Sequence, residues 1–176
     1  MLIRSIIYSL MLAILCTQRV AQAECWLTAG RTYNIDPYLL YAIAQQESGL
    51  NPYAIGHNAQ GSYDIGLMQI NSRHLPRLRQ LGIDEQQLLN DSCLSIMVGA
   101  SILADFMQRY GYSWKAVGAY NAGGAAGAEK QRVCYARQVW QRYQKLRASA
   151  AELPSADMDN LNLKSSVDRS QRKITH

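Results

Sequence analysis

Metal and redox chemistry find little support in this sequence. Its histidines, His57, His74 and His176, stand apart from one another and from the cysteines, so metal-ligand spacing is absent and no cofactor is expected. Internal repeats and low-complexity tracts are missing too. The one long apolar run, from Ser5 to Cys16, is too short to span a bilayer. It follows Met1-Leu2-Ile3-Arg4 and precedes Ala21-Gln22-Ala23, the order of a cleavable secretory signal. Residues 1–23 are therefore expected to be removed, leaving no membrane anchor and a mature protein in the periplasm. Export takes nucleic acid out of the expected partners.

What remains is one domain, over residues 24–148, with enough chain to bury a sizeable core. Beyond about Ser149 the composition turns to Ser, Asp, Asn, Lys and Arg without aromatics, and residues 149–176 are expected to be a disordered polar tail. The net charge of +5 falls to +3 once Arg4 and Arg19 leave with the signal. Lys130, Arg132, Arg137, Arg142, Lys145 and Arg147 concentrate the positive charge near the end of the domain. Such a run is either the solvated face of a helix or an attraction for an anionic wall polymer or acidic partner. Cys16 also leaves, so the odd set Cys25, Cys93 and Cys134 leaves at least one thiol without an internal mate.

In order, the mature chain reads as helices broken by glycine and proline. A short amphipathic piece spans 26–33, and Asp36-Pro37 supplies an N-cap with proline at the first helical position. Residues 51–62 read as loop, with a small hairpin around Gly61 carrying Asp64 as the only sheet. Leu75 to Leu81 suits one or two helical turns, and Asp84-Glu85-Gln86-Gln87 has capping-box spacing. Asp91 caps a long helix in which Leu94, Val98, Ile102 and Phe106 recur every four residues until Gly111. Ser113 caps the next, and Val133, Ala136, Trp140 and Tyr143 are expected on the core face of the last. The fold class is thus mainly α, with a helical domain and one small β-hairpin lobe flanking a groove.

Two carboxylates in different settings stand out. Leu39, Ile43 and Glu47 fall on one helical face, so Glu47 ends an apolar stripe at the negative end of the helix dipole. Partial desolvation and the dipole both favour its protonated form, as a general acid requires. Asp64 lies among Ser62, Tyr63 and Gly66, where polar surroundings keep a carboxyl ionised. A second role is open to it, the structural cap of a turn.

Three stretches carry a family resemblance: Glu47-Ser48-Gly49-Leu50-Asn51-Pro52, then Gly66-Leu67-Met68-Gln69-Ile70, then Ala119-Tyr120-Asn121-Ala122-Gly123. In this order they resemble the catalytic motifs of the lysozyme-like superfamily, specifically the soluble lytic transglycosylase domains, over roughly Cys25 to Tyr143. The resemblance implies an α+β lysozyme-like fold that binds peptidoglycan glycan strands. It implies cleavage of the N-acetylmuramic acid to N-acetylglucosamine bond by Glu47 as acid and then base, with closure of a 1,6-anhydro ring. Tyr120 resembles the family tyrosine that holds the acid. Ser48, Met68, Gln69, Asn71 and Asn121 resemble groove or support positions. Related domains that open with a Cys-Trp pair imply a disulfide between Cys25 and Cys93, which leaves Cys134 without a mate, either buried or open to a thiol reagent.

Asp64 departs from many soluble lytic transglycosylases. The run from Asp64 to Arg73 is similar to the lysozyme segment that carries the second acid. A lysozyme-type hydrolase of the same bond is therefore an alternative, and a non-catalytic wall-binding assembly protein is another. The presence together of Glu47, Asp64 and Tyr120 speaks against the last. Small secreted domains with this Asp resemble specialised transglycosylases that open the wall for type III secretion, conjugation or pilus machines.

Overall fold

The computed structural model describes residues 23–151. All but residue 23 of the secretory-signal expectation over 1–23, and most of the expected tail over 149–176, lie outside these residues.

Residues 23–33 form helix α1, starting before the expected 26. Helix α2, Pro37–Glu47, opens as the sequence implies, with the Asp36 carboxylate accepting from the Tyr38 amide at 2.9 Å and Pro37 in the first turn. A small sheet of β1 Ile55–His57, β2 Tyr63–Ile65 and β3 Ile70–Asn71 follows. Its strands are antiparallel in the order β1-β2-β3, pairing Gly56 with Asp64 and Asp64 with Asn71. The expected hairpin is present, and the third strand is an addition, since two residues are too few to show alternation. A 3-10 turn at Ser72–His74 leads into α3 Leu75–Gln80, then α4 Glu85–Asn90, α5 Ser92–Tyr110, α6 Trp114–Ala122 and α7 Glu129–Ala151. The tail boundary expected at 149 gives way to helix as far as Ala151.

Local capping signals translate directly into structure. Asp84 and Gln87 bond reciprocally as a capping box, at 2.8 Å in each direction. Asp91 caps α5 through the Leu94 amide, and Ser113 caps α6 through the Ala116 amide. Gly66, at φ 70°, is required where the chain squeezes past the α4 backbone: a Cβ there would sit 2.9 Å from the Leu88 carbonyl oxygen.

Two helical stripes differ from their expected faces. On α5 the buried residues are Ser95, Ile96, Val98, Gly99, Ala100 and Leu103, while Leu94, Ile102 and Phe106 are only half-buried. A four-residue spacing drifts about 40° per step around a 3.6-residue helix, so this stripe slides off the core. On α7 Val133 is 50% exposed and Trp140 38%, against the expectation of core. The face that packs inward is Arg132, Tyr135, Ala136, Val139 and Tyr143. Trp140 instead lies edge-on to Trp114, with ring centroids 4.9 Å apart. The cations of α7 do not make one solvated face either. Arg132 is buried, Arg142 donates to the Gln46 side chain at 2.9 Å, and Arg147 stands 3.7 Å from the buried Asp36 carboxylate.

Cys25 and Cys93 are disulfide-bonded, with Cα atoms 5.3 Å apart, and tie α1 to the first turn of α5. Cys134 is free and exposed on α7, which settles between burial and an accessible thiol in favour of the latter. Its position on the outward face of the helix, between inward-facing Arg132 and Tyr135, explains this. The bridge closes a sequence separation of 68 residues. On the loop-entropy account, replacing both bridged cysteines by serine is expected to lower unfolding free energy by about 4 kcal/mol, as read by denaturant melts. Thiol labelling of unreduced, folded protein comprising residues 24–176 should place one adduct per chain, at Cys134. An adduct at Cys25 or Cys93 would contradict the pairing.

Candidate active site

Glu47 is the last residue of α2, at the end of the stripe through Leu39 and Ile43, which are 2% and 0% exposed. Its carboxyl accepts a 2.5 Å hydrogen bond from the Tyr135 hydroxyl on α7. Burial raises its pKa from 4.5 to about 7, the Tyr135 bond pulls the other way, and the charge of Asp64 adds to the rise. The carboxyl is therefore divided between acid and carboxylate near neutral pH, which suits a group that gives a proton and later takes one. Burial likewise pushes the Tyr135 hydroxyl well above its ordinary range, and the charge of Glu47 pushes it further, so it remains a donor.

Asp64 is the middle residue of the middle strand. Both of its oxygens are occupied by side-chain amides: Asn71 donates to one at 2.7 Å, and Asn58 to the other at 2.9 Å. Asn71 comes from β3, so the third strand is what supplies half of this clamp. The Asn71 carbonyl oxygen in turn accepts from the Arg73 amide at 3.1 Å, which fixes the direction of its amide group.

The remaining candidates sort into groove and support. Glu47, Asp64, Gln69, Asn71, Tyr120 and Asn121 all line one open groove of about 640 Å³, together with Ile102 and Phe106 of the displaced α5 stripe. Met68 has 0% exposure and supports the site from behind. Ser48 supports it too: its hydroxyl donates to the Leu67 carbonyl at 2.7 Å. Tyr120 donates to the Met68 carbonyl at 2.8 Å. The turn opposite the acid is thus pinned from α2 and from α6 at consecutive carbonyls. Gln69 adopts φ 48°, and its side-chain amide donates to the Ala54 and Gly66 carbonyls at 3.1 and 2.9 Å. Those bonds offset the left-handed backbone, which is uncommon for a residue with a side chain.

Sequence reading gave Tyr120 the task of holding the acid, whereas the hydroxyl that reaches Glu47 is that of Tyr135. Tyr135, Val139 and Tyr143 recur every four residues, the same spacing that identified the Glu47 stripe, and that signal points to it. Asn58 was missed as well, because a residue paired across a hairpin has no periodic mark. Tyr135→Phe removes a bond that favours the ionised carboxyl. It is expected to move the alkaline fall in activity to higher pH while lowering the maximum rate, since Glu47 loses its orienting partner. A pH–rate profile unchanged in position would contradict that role.

The transglycosylase SLT domain family model matches residues 24–142. The chain is 58% identical over 132 residues to the invasion protein IagB of Salmonella typhimurium strain SL1344, covering 75% of this chain and 82% of that one. It is 44% identical over 133 residues to the protein IpgF of Shigella flexneri, covering 76% and 88%. Among solved structures, an inactive mutant of the lytic transglycosylase Slt from Pseudomonas aeruginosa shares the fold, with a TM-score of 0.55 and 22% identity. That match covers 71% of this chain and 24% of the Pseudomonas one.

Proposed function

Because the chain belongs to the transglycosylase SLT family and is a peptidoglycan lytic transglycosylase, we propose that it cleaves the bond between N-acetylmuramic acid and N-acetylglucosamine and leaves 1,6-anhydro ends. The observation that carries cleavage of the bond is one groove presenting two unlike carboxyls, and membership of the transglycosylase family supports closure of the ring over attack by water. Glu47 is desolvated and raised to about 7, and Asp64 is held by two amides.

Glu47 in its acid form protonates the glycosidic oxygen, and the bond to the muramic C1 breaks with the electron pair leaving on that oxygen. Positive charge then develops on the muramic ring, where the fixed carboxylate of Asp64 stabilises it without reorganising. Glu47, now a carboxylate, takes the proton of the muramic 6-hydroxyl as that oxygen closes on C1. The acid is restored and no water is consumed.

The polymer lies outside the cytoplasmic membrane, so the protein acts in the periplasm. We place its work at local opening of the wall for a secretion, conjugation or pilus apparatus. Support comes from the invasion-protein name of its Salmonella relative.

The test is mass spectrometry of muropeptides released from purified sacculi. Anhydro ends, each lighter by one water than a reducing end, are the expected product. A digest with only reducing muramic ends would make the protein a lysozyme-type hydrolase, the alternative that Asp64 favours.

A further inference from the structure

One wall of the groove has almost nothing of its own to hold it. The link from α6 to α7, residues 123–128, is Gly-Gly-Ala-Ala-Gly-Ala, without a single side chain able to form a hydrogen bond. Glycine-rich backbone of this kind loses more freedom on ordering than any other. Yet Gly123 lines the groove beside Asn121 and Ala122. Its backbone is held at its two ends, where the Gly123 amide donates to the Ala119 carbonyl at 2.8 Å and the Ala128 amide to the Ala125 carbonyl at 3.4 Å, so any side-chain hold on the link has to come from outside the segment.

Arg132 supplies it. This residue is only 7% exposed although charged. One terminal nitrogen of its guanidinium donates to the Gly123 carbonyl at 2.9 Å and to the Ala125 carbonyl at 3.1 Å. Its other terminal nitrogen and Nε donate to the Glu129 carboxylate at 2.8 and 3.1 Å. The planar fork thus spans the loop on one edge and an orienting acid on the other, a division that a lysine ammonium does not reproduce. The base of Arg132 is equally fixed, because α6 and α7 approach so closely that a Cβ at Gly118 would lie 2.5 Å from the Arg132 carbonyl oxygen.

We propose that Arg132 is a positioning residue that holds the Gly123 wall of the groove and thereby sets affinity for the glycan strand, not the rate of bond cleavage. The inference rests on the transglycosylase reading of that groove. Glu47 and Asp64 stand on α2 and β2, whereas the hydrogen bonds of the guanidinium go to Gly123, Ala125 and Glu129, and Tyr135 is held by the packing of α7 on both α6 and α2. Freeing the wall should therefore weaken substrate binding and leave the reacting groups where they are.

The test compares wild type, Arg132→Lys and Glu129→Gln on purified sacculi. The readouts are kcat, half-saturating substrate, melting temperature and amide hydrogen exchange over residues 123–128. Arg132→Lys is expected to raise half-saturation about fivefold or more while kcat stays within about twofold, the pattern of lost uniform binding. Exchange in the loop should quicken in the same variant, and Glu129→Gln should move both in the same direction by less. Unchanged half-saturation in either folded variant overturns the proposal, even if the melting temperature falls, because that result marks a purely structural arginine. So does a loss confined to kcat. Should Arg132→Lys fail to fold, Glu129→Gln decides by the same outcomes. Wild-type protein that releases no muropeptides would instead remove the transglycosylase reading.

Discussion

Glu47→Gln is expected to reduce muropeptide release by about 10³-fold or more, because one side chain supplies both proton transfers of the reaction. The amide keeps the shape of the carboxyl and can still accept from Tyr135, so the variant should fold and retain binding to peptidoglycan. Wild-type stability should also respond to pH in a definite direction. Glu47 has a pKa of about 7 when folded against 4.5 for its ordinary value, so between these limits the folded state holds more protons than the unfolded chain. Stability contributed by the neutral acid is present at low pH and is lost as pH rises towards 7, by at most about 3 kcal/mol. Glutamine does not titrate. The variant should therefore gain on wild type in melting temperature between pH 5 and pH 8, and wild-type turnover in it would refute the assignment.

Asp64→Asn is expected to lower activity by about 10-fold or more, because losing a preorganised group that faces developing charge costs a few kcal/mol. The clamp makes this substitution more than a loss of charge. In wild type both carboxylate oxygens accept, one from Asn71 and one from Asn58. An asparagine has only one acceptor oxygen, so its own amide hydrogens would face one of those donors. Loss of activity with unchanged half-saturating substrate would place the effect in the chemical step. An unchanged rate would mean that Asp64 only joins β2 to its neighbours.

The parts of this molecule written locally in the sequence were legible, and the parts written across the fold were not. Asp36, Asp84, Asp91 and Ser113 each announce a helix start because a cap bonds within three residues. Glu47 was visible because Leu39 and Ile43 mark its face. Its partner Tyr135 lies 88 residues away, and choosing Val133 and Trp140 as the inward face of α7 turned attention from it. The error was one of phase. Apolar letters alone favoured Trp140, whereas the true inner face includes a charged residue, Arg132, whose burial makes sense only once the carbonyls of the α6 to α7 link are seen converging on it. The two-residue strand β3 was invisible for want of length, and with it went the bond from Asn71 to Asp64.

At the centre of the account is a carboxyl lifted by burial to where it can act as acid and base in turn. The most direct measurement is the titration of Glu47 itself, followed through the carboxyl carbon chemical shift in selectively labelled protein, with Glu47→Gln identifying the resonance. The account predicts a midpoint near the raised value of about 7. A midpoint near 4.5, the ordinary value for a glutamate, would contradict it.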